Sequence, residues 1–213
     1  MSLPNIFAIG DSHCIFYYDS HKIKNHWVGW GEMPVTMYTF VQSGIPLYTI
    51  VERMPPGDIC PINVKENDIV LFCYGWNDIQ KNIHTYSNGD YKSMINGLVH
   101  QYITIIKQYS DGTQFKIHPI VNCVYPLPRS TNDAMTGSEQ ERITYTRYMN
   151  ERLRAECLEH TIPFFDIYDL ISTDDKLNMQ YIDNDMTHLN RKLPELREII
   201  EPKLLKICED ICK

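Results

Sequence analysis

The segment Ile6-Phe7-Ala8-Ile9-Gly10-Asp11-Ser12 joins an unbroken apolar run to a glycine and two small polar residues. A short apolar run with no polar alternation suits a strand buried on both faces, as the central strands of a parallel sheet are. The glycine lets the chain turn sharply where that strand ends. A second run, Ile69 to Tyr74, has the same character and ends in Gly75-Trp76-Asn77-Asp78. Further β-rich runs are expected as strands at Leu47 to Val51, Phe115 to Val124 and Phe164 to Ile167.

Between these runs the apolar period changes from two to between three and four. Met94, Ile95, Leu98, Val99, Tyr102, Ile103, Ile106 and Tyr109 predict a helix from about Asp90 to Tyr109, stopped by Asp111-Gly112. Ser138-Glu139-Gln140-Glu141 forms a capping box ahead of a helix burying Ile143, Met149, Leu153 and Cys157. A last helix follows His188, with Pro194 in its first turn and Pro202 expected to kink or restart it. Strands alternating with helices give an α/β fold class, a parallel sheet covered on both faces. The stretches from about His21 to Tyr38 and from Tyr125 to Gly137 fit no regular element and are expected as loops.

The composition narrows the function. The 213 residues are 43% apolar and 22% charged, which suits one domain spanning residues 1–213. A net charge of −7 without any basic run argues against nucleic acid and anionic lipid as partners. No apolar run approaches a membrane span, and the first strand starts too near Met1 for a leader, so a cytoplasmic protein is expected. The seven cysteines are scattered, mostly within apolar segments, and contain no C-x-x-C pair. Buried free thiols are expected, with no metal and no cofactor. No P-loop, G-x-G-x-x-G cradle or G-x-S-x-G elbow occurs.

Three short words then stand out in order: Gly10-Asp11-Ser12, Gly75-Trp76-Asn77-Asp78 and Asp185-Met186-Thr187-His188. Their joint occurrence by chance is on the order of one chain in a few thousand. They supply a hydroxyl nucleophile, a side-chain amide able to hold an oxyanion, and an imidazole with a nearby carboxylate. If the strand order is 2-1-3-4-5, the ends of the first and third strands are neighbours, and Ser12 and Asn77 meet in the crevice outside the carboxyl ends. His188 is then the candidate base. Asp185 is its candidate orienting carboxylate, with Asp183 as the competitor.

Each residue also has a plainer role open to it. Ser12 could cap a helix and Asp11 tie down the same turn, while Asn77 and Asp78 could shape a turn after their strand. His13 could face the crevice and touch substrate, or lie against the core. Trp27, Trp30, Trp76 and Tyr125 could line a sugar-binding wall or pack internally. The remaining histidines, His21, His26, His84, His100, His118 and His160, lack ligand spacing and are expected at the surface or in hydrogen bonds.

On these three words the chain resembles the SGNH/GDSL hydrolase family, over almost its whole length. The resemblance implies a flavodoxin-like three-layer α/β/α fold with a five-stranded parallel sheet, order 2-1-3-4-5. It also implies a serine esterase with Ser12 as nucleophile, His188 as base, Asp185 behind it, and an oxyanion hole built from Ser12, Asn77 and a glycine. Two departures are visible. His13 stands where the family's name has leucine, and the glycine is either Gly44 or Gly31, Gly44 lying ahead of the expected second strand rather than after it. Gly10-Asp11-Ser12-His13, Pro34-Val35-Thr36-Met37-Tyr38 and Gly137 to Arg142 look like SGNH-like proteins met near glycan-modifying functions. The expected substrate is therefore a small-molecule or glycan ester, with a short O-acyl group such as acetyl on a carbohydrate, contacted by His13, Trp76 and Tyr125. A non-catalytic module binding a glycan or protein, and an O-acyltransferase using the same residues, are the alternatives. The oligomeric state has no signature in the sequence.

Overall fold

The computed structural model describes residues 4–17, 26–29, 36–42, 44–55, 58–60, 64–112, 116–126, 135–184, 188–190 and 193–213. Strand β1 (Ile6–Gly10) lies at the centre of a six-stranded sheet. Its other members are β2 (His26–Gly29), β3 (Thr36–Val41), β4 (Ile69–Cys73), β5 (His118–Asn122) and β6 (Phe164–Phe165). The order is β2-β3-β1-β4-β5-β6. Strands β3, β1, β4, β5 and β6 are parallel, which is the five-stranded 2-1-3-4-5 sheet that the sequence implied. An antiparallel edge strand, β2, is added beside β3.

All residues of β1 and β4 are buried, and their side chains alternate between two cores. Ile9, Val70, Phe72 and Val121 point to one face, covered by α1 (Leu47–Arg53), α2 (Ile83–Tyr86), α3 (Tyr91–Gly112) and α4 (Glu139–Glu159). Ile6, Ala8, Ile69, Leu71 and Ile120 point to the other, covered by α5 (Tyr168–Ile171) and α6 (Pro194–Ile211). A two-stranded hairpin, β7 (Ser172–Thr173) with β8 (Lys176–Leu177), follows α5.

The helices begin where the capping chemistry places them. Ser138 Oγ accepts the Glu141 N–H, and the Glu141 carboxylate accepts the Ser138 N–H at 2.7 Å, closing the capping box of α4. Its buried face carries Ile143, Met149, Leu153 and Cys157 as expected. The Asp90 carboxylate accepts the Ser93 N–H at the start of α3, which ends at Gly112. Helix α6 runs unbroken through Pro202, so that proline does not restart it. Leu196, Ile200, Leu204 and Cys208 keep one buried stripe across the proline, and packing against the sheet outweighs the lost hydrogen bond.

Two expectations about the chain between β1 and β4 are corrected. Leu47 to Val51 is not a strand but the body of α1. Leu47 and Ile50, three residues apart, are fully buried, and the Asp78 carboxylate accepts the amides of Leu47 and Tyr48 at 2.6 and 3.2 Å. Those are donors that a helix start leaves unsatisfied, so the cap favours helix over strand. The second parallel strand is instead Thr36–Val41, and the stretch from His21 to Tyr38 therefore contains strand as well as the residues outside the description. Phe115 also lies outside the described residues, and β5 occupies only His118–Asn122 of the run expected there.

The centre of the sheet rests on one close approach. A Cβ on Gly10 would lie 2.0 Å from the Cys73 carbonyl oxygen and 2.6 Å from Cys73 Cβ, so β1 and β4 can meet only if position 10 is glycine. Gly10→Ala must push the two strands apart. It is expected to lower the unfolding free energy by about 3 kcal/mol or more in urea titrations; a loss under about 1 kcal/mol would contradict this contact.

Candidate active site

The parallel register aligns the strand ends. Gly10 pairs with Val41 of β3 on one side and with Cys73 of β4 on the other. Ser12 stands two residues past the end of β1, Gly44 three past β3 and Asn77 four past β4. All three therefore gather at the carboxyl edge, at the point where the chain, having gone from β1 to β3 on one side, crosses back to enter β4 on the other. The Gln42 N–H donates to the Gly10 carbonyl at 2.7 Å, and Asn77 Nδ2 leans on the Ile45 carbonyl at 3.5 Å, so the Gly44 turn lies between the other two. With β3 in place, Gly44 follows the second parallel strand rather than preceding it. Its φ of +76° is one that glycine adopts without strain, and the space around it is open. Gly31, the rival, lies outside the described residues.

Ser12 opens a 3-10 helix, Ser12–Tyr17, and is half-buried. Asp11 builds the turn that presents it. The Asp11 N–H donates to the Cys73 carbonyl at 3.1 Å, the Asp11 carboxylate accepts the His13 N–H at 3.0 Å, and the Asp11 carbonyl accepts the Cys14 N–H. Asp11 is 1% exposed, and its pKa is pushed up to about 7 by burial, a rise that the His13, Trp76 and Asn77 amides oppose and the Asp78 charge adds to. Asp78 is fully buried as well. Burial raises its pKa, against the hydrogen bonds from Asn82 and the Tyr48 and Leu47 amides. The sequence offered Asp78 as a turn former. Its actual work is to tie the start of α1 to the Asn77 block, across a separation that no local signal reveals.

His188 reaches the same edge from the other end of the chain. Its carbonyl accepts the Asp183 N–H at 2.8 Å, Leu189 bridges Ile182, and the Asn190 N–H donates to the Tyr181 carbonyl, a short antiparallel ladder that fixes the backbone. Its ring lies 4.8 Å, centroid to centroid, from the ring of His13, the residue after Ser12. Asp185 falls outside the described residues; the competing Asp183 accepts the Asn184 N–H with its carboxylate. The His13 ring also packs on Trp76 at 3.9 Å and meets Tyr125 edge-on at 6.2 Å. The three candidate substrate-contacting residues thus form one cluster beside Ser12, each less than a tenth exposed. The side chains of Trp27 and Trp30 are outside the description.

His84, His100 and His160 each approach a glutamate, Glu141 or Glu156, at 3.3 to 3.9 Å. Six of the seven cysteines are buried free thiols and Cys212 is exposed.

A serine hydroxyl, a side-chain amide and an imidazole thus gather at the carboxyl edge of a 2-1-3-4-5 parallel sheet of the flavodoxin-like class. The chain belongs to the GDSL-like lipase/acylhydrolase family, whose model matches residues 8–193. Solved structures share the fold at low identity. A GDSL-like lipase from Bacteroides thetaiotaomicron is 17% identical, with TM-score 0.58, over 97% of this chain and 88% of that one. A candidate platelet activating factor from Streptococcus pneumonia is 15% identical, with TM-score 0.66, over 97% and 84%. A carbohydrate acetylesterase from Sinorhizobium meliloti is 13% identical, with TM-score 0.55, over 94% and 96%. A comparison with curated protein sequences finds no match. Among the described residues no helix is long and apolar enough to cross a membrane.

The buried Asp11 makes stability depend on pH. Its folded pKa lies above the unfolded value near 3.8, so the folded state holds an extra proton between about pH 4 and 7, and stability falls as pH rises through that window. Asp11→Asn keeps the acceptor and removes the titration. The variant should match the wild type near pH 4 and exceed it at pH 8 by on the order of 4 kcal/mol in denaturant titrations. A difference that does not change with pH would contradict the buried, titrating carboxyl.

Proposed function

We propose that the protein is a serine esterase that forms an acyl-enzyme at Ser12. The observation that carries this reading is the placement of His188 against the residue following Ser12, at the strand edge that also holds Gly44 and Asn77. In the first half-reaction Ser12 Oγ attacks the ester carbonyl carbon and gives its proton to the His188 imidazole. The oxyanion is held by the Ser12 and Gly44 backbone N–H groups and by the Asn77 amide. Collapse breaks the bond to the alcohol oxygen, which takes the proton from His188. Water then repeats the sequence on the acyl-enzyme, releasing the acid and restoring Ser12. Asp185, three residues before His188, is the carboxylate that would orient the imidazole.

The favoured substrate is a short O-acyl ester on a carbohydrate. A groove of about 410 Å³ beside α1 and α3 is where a sugar could lie, its lining made of polar Glu52, Asp90 and Gln101, aromatic Tyr48 and Tyr86, and apolar Met94 and Leu98. Tyr48 and Tyr86 are exposed on it, and the Tyr48 amide is bonded to Asp78, the neighbour of Asn77. Aromatic faces suit the C–H faces of a pyranose, and carboxylates and amides suit its hydroxyls. The fold shared with a carbohydrate acetylesterase is consistent with the same choice.

Steady-state hydrolysis of p-nitrophenyl acetate and of an acetylated xylo-oligosaccharide tests the mechanism. Ser12→Ala and His188→Ala are expected to lower kcat at least about 1,000-fold, and Asn77→Ala by about 100-fold or more, with little change in KM. Activity that survives Ser12→Ala would overturn the assignment. A kcat/KM for the acetylated xylo-oligosaccharide no higher than for ethyl acetate, an ester of a simple alcohol, with no effect of Tyr86→Ala, would overturn the carbohydrate preference.

A further inference from the structure

His13 occupies an unusual place for a residue adjacent to a nucleophile. It is buried to 7% exposure, its backbone is pinned by the Asp11 carboxylate, and its ring packs against others. The Trp76 ring lies 3.9 Å and the His188 ring 4.8 Å away, centroid to centroid, each inclined by 38°, and Tyr125 meets it edge-on at 79°. Trp76 is itself held by the chain that leaves β4 through Gly75, whose φ of +116° suits glycine. Through His13 the end of β4 therefore meets the His188 segment, whose backbone takes part in a short antiparallel ladder.

We propose that His13 is a positioning residue for the base: its ring, packed against Trp76, holds the plane of the His188 imidazole. The inference rests on the reading of His188 as the base. A leucine at position 13 could fill volume but could not present a flat ring to both neighbours. The Asp11 carboxylate, by accepting the His13 N–H, fixes the backbone from which that ring projects.

The test compares kcat and KM on p-nitrophenyl acetate for the wild type, His13→Phe, His13→Ala, His188→Ala and the double variant His13→Ala/His188→Ala, with thermal unfolding showing that each folds. His13→Phe keeps a flat ring and should hold kcat within about threefold of the wild type. His13→Ala removes the ring contact and should lose at least about fivefold more kcat than His13→Phe, with KM changed less than about twofold. If His13 acts through His188, the double variant loses no more than His188→Ala alone. The NMR shifts of the His188 ring protons should move in His13→Ala, which reads the contact without turnover. Shifts that move in a protein whose activity is indifferent to His188→Ala would keep the contact and discard the base assignment. A His13→Ala variant as active as His13→Phe, or a loss that adds fully to that of His188→Ala, would overturn the proposal.

Discussion

Strands β1 and β4 meet at a point where there is no room for a side chain. The Gly10 Cα faces the Cys73 carbonyl so closely that a methyl group would overlap the oxygen, and the next amide, that of Asp11, donates to that same oxygen. This contact brings the ends of two parallel strands into line, and everything at the carboxyl edge inherits its geometry. Because Gly10 also pairs with Val41, the turn after β3 arrives at the same level. Ser12, Gly44 and Asn77 come from segments more than thirty residues apart, yet their positions follow from three chain exits measured from one rung of the sheet.

Above that rung, two buried carboxylates organise the loops. Asp11 folds the turn that carries Ser12 and His13, and Asp78 accepts the first amides of α1 and so holds the Gly44 turn against the Asn77 block. Both are held out of water, and burial raises the pKa of each. Each would be a liability in an ordinary core, since a buried carboxylate costs stability unless amides satisfy it. Here the cost coincides with the place where several loops must be registered against one another, as expected of a site and not of simple packing.

Much of this was legible in the chain. The unbroken apolar runs at Ile6–Gly10 and Ile69–Cys73 marked the central parallel strands, because only a strand covered on both faces tolerates that composition. The 3.6-residue stripes marked α3, α4 and α6, and the three short words marked Ser12, Asn77 and His188. What escaped was set by tertiary contact. Leu47-Tyr48-Thr49-Ile50-Val51 has strand-like residues, but Asp78, some thirty residues later, caps it as a helix. Thr36–Val41 sits at the end of an aromatic stretch whose local pattern suggests a loop, and it becomes a strand by pairing with β1. Gly44 consequently moved from before the second parallel strand to after it. The aromatic slab joining Trp76, His13 and His188 has no local signature, since its members come from three distant segments.

The most direct test of the account is the site of covalent labelling by a fluorophosphonate, read by mass spectrometry of the intact protein and its peptides. A serine activated by His188 should take up one equivalent of reagent at Ser12, and His188→Ala should slow that reaction by about 100-fold or more. No adduct, or an adduct on another serine, would contradict the assignment of Ser12 as the nucleophile.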